Sequence, residues 1–326
     1  MKNILITGGL GFIGAALTKR LHNKYPEYKL IIVDNNKDQH RLDEIKKSIK
    51  LYSYDICDQR LIDKLFDLYA FDGVFHLASR KPKVNEEYKE TQFIKTNIVG
   101  TSIILNNCVK HKSRILYTSN TEVYGSLDMD KRTHLYETNC YHPSTPYAAS
   151  KAAADHLITS YHEKYGLDTL ITNISNTYGP DQDNEDFVYI IINCLLNNKS
   201  VPVYGTGENV RDWVYVDDVI DMLDLAYHKG ISGENYNAGG GELNEFTNIE
   251  LINQISRGIT NILNGEPSQH RLINHLSDIG GHDLRHSVNY DKSILRLRWK
   301  PKTHIEMGIN ETIKWHMNKD GINNSI

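Results

Sequence analysis

Short apolar runs alternate with longer amphipathic segments through the first half of the chain. Five runs predict strands, at residues 3–7, 30–34, 73–78, 114–119 and 167–174. Four longer segments show helical periodicity, at residues 12–23, 60–69, 92–111 and 147–165. Because unbroken apolar strands separated by helices form parallel sheets covered on both faces, the pattern predicts an α/β fold with a doubly wound parallel sheet of the Rossmann type.

The regular alternation of predicted strands and helices ends after Gly179–Pro180. There a polar loop leads into a short helix, and turn glycines then separate strand fragments. A chain of 326 residues is also long for one compact core. We therefore predict a Rossmann domain at residues 1–176 and a smaller mixed α/β lobe at residues 177–326, with the main sheet rejoined by about residues 213–240.

Composition narrows the classes of partner. The net charge of −4 gives no electrostatic reason to expect binding to nucleic acid or to an anionic membrane. The four cysteines, Cys57, Cys108, Cys140 and Cys194, form no C-x-x-C pair, as expected of a reduced cytoplasmic chain without a disulfide framework or a metal site. No run reaches the ~18 apolar residues of a membrane span, and the early glycines argue against a signal peptide.

A glycine-rich loop follows the first predicted strand. Gly9, Gly11 and Gly14 fall in G-x-G-x-x-G register and open a predicted helix, whose N-terminal N–H groups favour a pyrophosphate. Asp34 ends the second strand, twenty residues after Gly14, where a carboxylate would accept hydrogen bonds from an adenosine ribose. Because that carboxylate would repel a 2′-phosphate, the pattern predicts NAD rather than NADP.

Tyr147 and Lys151 are four residues apart on a predicted helix and therefore share one face. The Lys151 ammonium and a positively charged nicotinamide ring would both favour the phenolate form of Tyr147. Lowering a tyrosine pKa from ~10 to ~7 needs only ~4 kcal/mol. We expect Tyr147 to remove a hydroxyl proton while hydride leaves the same carbon.

With this pair in place, the chain resembles the extended short-chain dehydrogenase/reductases of the NAD-dependent epimerase/dehydratase family, and among them most closely the dTDP-glucose 4,6-dehydratases. The likeness is carried by "ILITGGLGFIG", "TNIVGT", "TEVYG", "PYAASKAAADH", "SNTYGP", "PVYGTGENVRDWVYVDD", "GHDLRH" and "RWKPKTHIEMGINETIKW". It implies an NAD-binding first domain, a second lobe that binds a nucleotide sugar, and a homodimer or higher homo-oligomer paired through the helices at residues 92–111 and 147–165.

The resemblance also implies roles for individual residues. NAD would be held by Gly8, Gly11, Phe12, Ile13, Gly14, Asp34, Asn35, Asp55, Ile56, Leu77, Ala78, Ser79 and Lys151. The nucleotide sugar would be contacted by Asn176, Val203, Tyr204, Arg211 and His282, with Asp283 an alternative to His282. The catalytic group would comprise Asn120, Thr121, Glu122, Tyr147 and Lys151.

Two of the catalytic positions depart from the family pattern. The resembling dehydratases have Thr-Asp-Glu where this chain has Asn120, Thr121 and Glu122. Glu122 matches the base that takes the C5 proton of a 4-keto sugar, but the Thr121 hydroxyl is too weak an acid to protonate the departing C6 hydroxyl. We expect Glu122 to do both, and Asn120 to donate a hydrogen bond to the C4 oxygen.

The sugar stays open at this point. Asn173, Asp186 and Ile279 stand near positions where the family has basic residues, whereas Arg80 and Lys81 are additional cations. We predict an NAD-dependent lyase, a nucleotide-sugar 4,6-dehydratase acting on a UDP- or dTDP-linked hexose, with UDP-N-acetylglucosamine as one candidate. The alternatives are a UDP-glucuronate decarboxylase, a C4 epimerase and, more distantly, an inactive NAD-binding scaffold.

Overall fold

The computed structural model describes residues 2–82, 90–130, 132–263, 273–278, 280–281 and 283–319. Twelve strands occur in these ranges: β1 (Lys2–Thr7), β2 (Tyr28–Val33), β3 (Lys50–Tyr52), β4 (Gly73–His76), β5 (Arg114–Asn120), β6 (Thr169–Ile174), β7 (Asn176–Tyr178), β8 (Val201–Tyr204), β9 (Val210–Tyr215), β10 (Asn235–Ala238), β11 (Glu245–Thr247) and β12 (Ile273–Leu276).

The same ranges contain nine longer helices. They are α1 (Phe12–Lys24), α2 (Gln59–Tyr69), α3 (Thr91–Phe93, Ile94–Gly100 and Thr101–His111 in succession), α4 (Pro146–Tyr165), α5 (Phe187–Leu196), α6 (Val216–Lys229), α7 (Asn248–Leu263), α8 (Asp291–Leu297) and α9 (Ile305–Lys319). No helix in the described parts of the chain is both long and apolar enough to cross a membrane.

Seven strands form the main sheet, in the order β10-β6-β5-β4-β1-β2-β3. Every neighbouring pair is parallel. Leu17 of α1 and Leu223 of α6 pack on one face of this sheet, while Phe66 of α2, Ile104 of α3 and Ile158 of α4 pack on the other. The predicted doubly wound α/β fold is therefore confirmed.

The remaining strands form two small sheets, one with the order β11-β9-β7 and one that pairs β12 with β8. Their core includes Ile191 of α5, Trp213 of β9, Ile255 of α7 and Ile309 of α9. Strand β10 returns to the main sheet beside β6. The proposed boundary between residues 176 and 177 stays a prediction.

Helix α3 contains a π-helical stretch, Ile94–Gly100, that the sequence pattern did not indicate. Asn97 in this stretch is buried, and its side chain accepts a hydrogen bond from the Arg80 backbone N–H at 2.7 Å and donates one to Ser150 Oγ at 2.9 Å. The widened turn thus fixes the loop after β4, which borders the functional cleft. Such single π turns are frequent at functional sites.

Candidate active site

Two adjoining cavities open at the carboxyl ends of the main-sheet strands. The first, of about 340 Å³, is bordered by Asp34, and we call it the aspartate cavity. The second, of about 460 Å³, is bordered by Tyr147, and we call it the tyrosine cavity. Both are lined by Gly8, Gly11, Leu77, Ser79, Lys81 and Asp183. A ligand with two linked halves could therefore occupy both, as ligands do at this edge of doubly wound sheets.

The glycine loop leaves no room for side chains. Gly8 has a φ of +72°, and a Cβ there would lie 2.7 Å from the Ala78 backbone nitrogen. A Cβ on Gly14 would lie 2.1 Å from the Gly8 carbonyl oxygen, and Gly11 is the N-cap of α1. Gly9 packs instead against the Ile32 side chain. Gly8, Gly11 and Gly14 therefore line the tyrosine cavity, and the register that begins at Gly9 stays a prediction.

Asp34 has the geometry of a ribose acceptor. Its Oδ2 accepts a hydrogen bond from the Leu10 backbone N–H and its Oδ1 one from Asn36, both at 2.9 Å. Burial raises its pKa despite these bonds. Six other residues expected to bind the cofactor also line the aspartate cavity: Asn35, Asp55, Ile56, Leu77, Ala78 and Ser79. A glycine-rich loop that leads to a carboxylate fits a dinucleotide, whose pyrophosphate would lie on the loop and whose ribose would meet the carboxylate.

The predicted Tyr–Lys pair lines the tyrosine cavity. Asn120 Nδ2 donates to Tyr147 Oη at 3.2 Å, and Lys151 Nζ donates to the Thr118 carbonyl at 2.7 Å. Burial lowers the pKa of Lys151 to about 8, while the Asp155 and Glu122 carboxylates act in the opposite direction. Phe12, Ile13 and Gly14 line the same cavity.

The pKa of Tyr147 is raised, whereas the expected lowering depends on the charge of Lys151 together with that of a bound nicotinamide ring. Burial of the phenol has the largest effect, and the negative charge of Glu122 adds to it. Lys151 directs its hydrogen bond to Thr118 rather than to the phenol. Lys151 alone therefore does not convert Tyr147 into a base, and further positive charge is needed beside the ring.

Glu122 also lines the tyrosine cavity and does not project into solvent from the strand end. It lies in a 3₁₀ turn, Thr121–Tyr124, that follows β5 directly. Burial raises its pKa, partly offset by the charges of His286 and Arg211. A buried carboxyl group with a raised pKa next to a tyrosine is suited both to accept and to donate a proton during a reaction.

Comparison with known proteins places this geometry in a family. A family model described as GDP-mannose 4,6 dehydratase matches residues 5–312. The chain belongs to the GDP-mannose 4,6-dehydratase family. A dTDP-glucose 4,6-dehydratase of Haemophilus influenzae is 35% identical over 335 residues, which cover 97% of this chain and 98% of the relative. The expected resemblance to nucleotide-sugar dehydratases is confirmed.

Solved structures agree with this assignment. The dTDP-glucose 4,6-dehydratase DesIV of Streptomyces venezuelae, determined with NAD bound, matches 98% of both chains with a TM-score of 0.88 and 31% identity. A UDP-glucose 4-epimerase of Thermotoga maritima has a TM-score of 0.86 and 28% identity, and the match covers 97% of this chain and 99% of the epimerase. Because dehydratases and epimerases share this fold, the reaction must be argued from individual residues.

The residues expected to contact the substrate are distributed unevenly around the cleft of this dehydratase-family chain. Asn176 lines the tyrosine cavity. Arg211 is close enough to Glu122 to affect its pKa, but its Nη1 donates to the carbonyls of Val210 and Asp283. Val203 is buried in the core of the small lobe, and Tyr204 follows it in β8; neither lines the two cavities. His282 lies outside the described residues.

A charged cluster at the cleft was not among the predicted site residues. Lys81 Nζ lies 2.8 Å from Asp183 Oδ2 and 2.6 Å from Asp186 Oδ1. Arg41 Nη2 lies 2.9 Å from Asp183 Oδ1. We call Arg41, Lys81, Asp183 and Asp186 the cleft clasp. Asp186 had been noted as a departure from the family pattern and Lys81 as an additional cation, and no local signal joins positions so far apart in sequence.

Asp155 is a second residue that the sequence motifs did not single out. It is 1% exposed, and its Oδ2 accepts hydrogen bonds from Ser119 Oγ and Tyr141 Oη at 2.9 Å and from Asn173 Nδ2 at 3.3 Å. Burial raises its pKa to about 6, while Lys151 has the opposite effect. One turn from Lys151 on α4, Asp155 is placed to act on the charge of that lysine.

Proposed function

We propose that this chain is an NAD-dependent nucleotide-sugar 4,6-dehydratase that converts a nucleoside-diphosphate hexose to its 4-keto-6-deoxy form. The observation that carries the proposal is the position of Glu122 in the same cavity as Tyr147 and Lys151. A C4 epimerase needs no carboxyl group beside the oxidised sugar. A dehydratase requires one, because the C5 proton must be removed.

The glycine loop and Asp34 would hold NAD, which supplies the acceptor and donor of hydride when bound. Tyr147 would take the proton of the sugar C4 hydroxyl. Asn120, which already donates to Tyr147 Oη, would donate to the developing C4 carbonyl oxygen. Lys151 would keep positive charge near this oxygen, since its pKa of about 8 leaves it largely protonated at neutral pH.

Glu122 would then act twice. Its carboxylate would accept the C5 proton, which the adjacent C4 carbonyl acidifies, and the C5–H electron pair would form the C5=C6 bond. As the C6–O bond breaks, the same carboxyl group would return the proton to the departing oxygen, which leaves as water. Return of the hydride to C6 and addition of a proton at C5 would complete the 4-keto-6-deoxy sugar, and the proton that Tyr147 took from the C4 hydroxyl balances the proton added at C5. The hydroxyl of Thr121, which also lines the cavity, is too weak an acid for this transfer.

The cleft clasp supports a neutral sugar. A uronate substrate, as in decarboxylation, would need a cation directed at its carboxylate. Lys81 is instead held by the two carboxylates of Asp183 and Asp186. With Arg41 on Asp183, the two cations and two carboxylates of the clasp cancel, so the clasp offers a uronate no surplus positive charge. The relatives named dTDP-glucose 4,6-dehydratase support dTDP-glucose, while the departures at Asn173 and Asp186 make a UDP-hexose the competing substrate.

Pairing of two copies through α3 and α4 remains part of the proposal. Ile94 and Val99 on α3 are 53% and 48% exposed, and Tyr165 at the end of α4 is 50% exposed. Apolar exposure on these two helices supports a homodimer formed there. Cytoplasmic location likewise remains a prediction.

The test is incubation with a panel of UDP- and dTDP-sugars in deuterated water, followed by proton NMR. A 4-keto-6-deoxy product labelled at C5 is the expected result. Loss of carbon dioxide from UDP-glucuronate would instead identify a decarboxylase, and an unlabelled sugar inverted at C4 an epimerase. Absence of any reaction from protein shown to contain NAD would support the inactive scaffold.

A further inference from the structure

The cleft clasp joins three segments that are far apart in sequence. Arg41 lies in a 3₁₀ turn, His40–Leu42, that comes after β2, and Lys81 lies in the loop after β4. Asp183 and Asp186 belong to the segment between β7 and α5, which leads into the small lobe. The clasp therefore connects two loops of the main sheet to the start of the small lobe.

The clasp also spans the boundary between the two cavities. Arg41 lines only the aspartate cavity and Asp186 only the tyrosine cavity, whereas Lys81 and Asp183 line both. The glycine loop borders both cavities as well, and Arg41 Nη1 donates to the carbonyl of Leu10 in that loop at 3.2 Å. A dinucleotide with one half in each cavity would therefore have its linking pyrophosphate enclosed by the glycine loop and the clasp.

Hydrogen bonds between charged groups hold the clasp closed. Asp183 is the central member, because it accepts from both Arg41 Nη2 and Lys81 Nζ. Burial alone would raise the pKa of Asp183, but the charges of Lys81 and Arg41 lower it. The side chains of Lys81 and Asp183 are 41% and 32% exposed. Since water reaches these bonds, the clasp can open without unfolding of either lobe.

The segment that carries Asp183 has a strained backbone while the clasp is closed. Asp181 has a φ of +65°, in the left-handed region that residues other than glycine adopt at a cost. Arg41 Nε donates to the Asp181 carbonyl at 3.0 Å, so one guanidinium group holds both this conformation and the Asp183 carboxylate. Loss of the clasp bonds should therefore let the segment relax away from the cleft.

The proposed reaction creates a need for such a closure. Hydride taken from C4 must return to C6 of the same sugar, and loss of the reduced cofactor between these steps would leave the sugar oxidised. We propose that the cleft clasp is a latch that closes over the linking pyrophosphate, so that its opening sets the rate of cofactor release. The inference rests on the proposed function, because only a reaction that returns its hydride requires a retained cofactor.

A purely electrostatic role would give the opposite result at one position. A pyrophosphate is anionic, so the Asp183 carboxylate repels it and the Lys81 ammonium attracts it. If these groups acted only through their charge, Asp183→Asn would slow cofactor release and Lys81→Met would speed it. A latch predicts faster release from both variants, because each substitution removes bonds that hold the clasp closed. Asp183→Asn therefore decides between the two explanations.

The measurement is the rate at which purified protein, loaded with radiolabelled NAD, exchanges it for excess unlabelled NAD. We expect release roughly tenfold faster from Asp183→Asn, which loses two charged partners, and roughly fivefold faster from Lys81→Met. Lys81→Arg keeps the positive charge and should stay within roughly twofold of wild type. The control is Lys302→Met, which removes a bond of 2.8 Å to Asp221 outside the lining of both cavities and should release NAD at the wild-type rate.

Release from Asp183→Asn that is no faster than from wild type would overturn the latch. Lys81→Met and Lys81→Arg give a second test that does not require Asp183→Asn to fold, since equal release from these two variants would also contradict it. The exchange needs no sugar, so its result is separate from turnover. Wild-type protein that retains NAD but dehydrates no nucleotide sugar would refute the proposed function, unchanged release from the variants would refute the latch alone, and wild-type protein that binds no NAD would refute both.

Discussion

Lys81 Nζ lies 2.6 Å from Asp186 Oδ1, which joins the loop after β4 to the residue that begins α5. Aspartate is favoured at a helix N-cap because its side chain can accept from the first backbone N–H groups. Asp186 occupies that position yet makes no such bond. Its carboxylate is engaged by the lysine at the cleft, so the contact contributes to the binding site at the expense of helix capping.

This contact leads to a prediction about substrate charge. In Asp183→Asn/Asp186→Asn, Lys81 keeps its charge but loses both carboxylate partners, so a uronate should bind better. We expect the affinity for UDP-glucuronate relative to UDP-glucose to rise roughly fivefold, which corresponds to ~1 kcal/mol for a partly exposed charge. Isothermal titration calorimetry gives both affinities. Adding Lys81→Met should abolish the gain; an unchanged ratio in the double variant would show that the clasp does not select the sugar.

The sequence predicts the main sheet well because its strands are apolar along their whole length. β1, β2, β5 and β6 begin and end within two residues of the predicted runs. The strands that were not predicted, such as β3 and β11, have only three residues, too few for a period to be visible. The π-helical turn of α3 could not be predicted from the sequence for a related reason, since one widened turn barely changes the helical pattern of apolar residues around it.

The site divides in the same way. The glycine loop, Asp34, Tyr147 and Lys151 belong to local motifs, so their spacing alone identifies them. The contact between Lys81 and Asp183 joins residues 102 positions apart, and the fold alone brings them together. The raised pKa of Tyr147 could not be predicted either, because it depends on the burial of the phenol in the folded chain, which the local sequence does not show.

A second prediction ranks the two neighbours in the 3₁₀ turn after β5. Glu122→Gln should lower dehydration by roughly 10³-fold, since both proton transfers lose their carrier. Thr121→Ala should stay within roughly fivefold of wild type, because its hydroxyl transfers no proton. Product formation is followed by NMR with the substrate found in the panel. The reverse ranking would contradict the dual role of Glu122.

A third prediction concerns the alkaline limit of activity. Lys151 loses its charge as the pH rises through about 8, so turnover should fall above that pH. The Asp155 carboxylate holds the pKa of Lys151 up, so Asp155→Asn should lower that pKa and move the fall to lower pH by roughly one unit. The measurement is kcat against pH, with Ser160→Ala on the exposed side of α4 as the control. If the alkaline fall in kcat occurs at the same pH in Asp155→Asn as in the wild type, Asp155 does not raise the pKa of Lys151.

A fourth prediction tests the NAD loop with matched glycines. Gly8 and Gly166 have similar φ values of +72° and +64°, so alanine strains the backbone at both. Only at Gly8 would the new Cβ also meet backbone, the Ala78 nitrogen at 2.7 Å, whereas nothing lies within 4 Å at Gly166. Gly8→Ala should therefore purify without NAD, and Gly166→Ala should retain it. The measurement is the amount of NAD that each purified variant releases on denaturation. Equal NAD content in the two variants would mean that the cofactor does not bind at the Gly8 loop.

A fifth prediction concerns stability in acid. Asp224 on α6 is 3% exposed and is bound by Lys24, Tyr25 and His228. Burial alone would raise its pKa, but these partners lower it to about 2. A carboxyl group whose folded pKa lies below its unfolded value of 3.8 stabilises the protein above about pH 4, and this contribution is lost as the pH falls toward 2.

Asp224→Asn should therefore lower the free energy of unfolding by about 2 kcal/mol at pH 7 and by clearly less at pH 3. Asp221→Asn is the matched control, one turn earlier on α6 and paired with Arg20 and Lys302, but 25% exposed. Because exposed ion pairs contribute little, it should cost less than about 1 kcal/mol. Urea titration at both pH values measures the differences. A cost at Asp224 that is the same at pH 3 and pH 7 would mean that packing, rather than charge, makes the contribution.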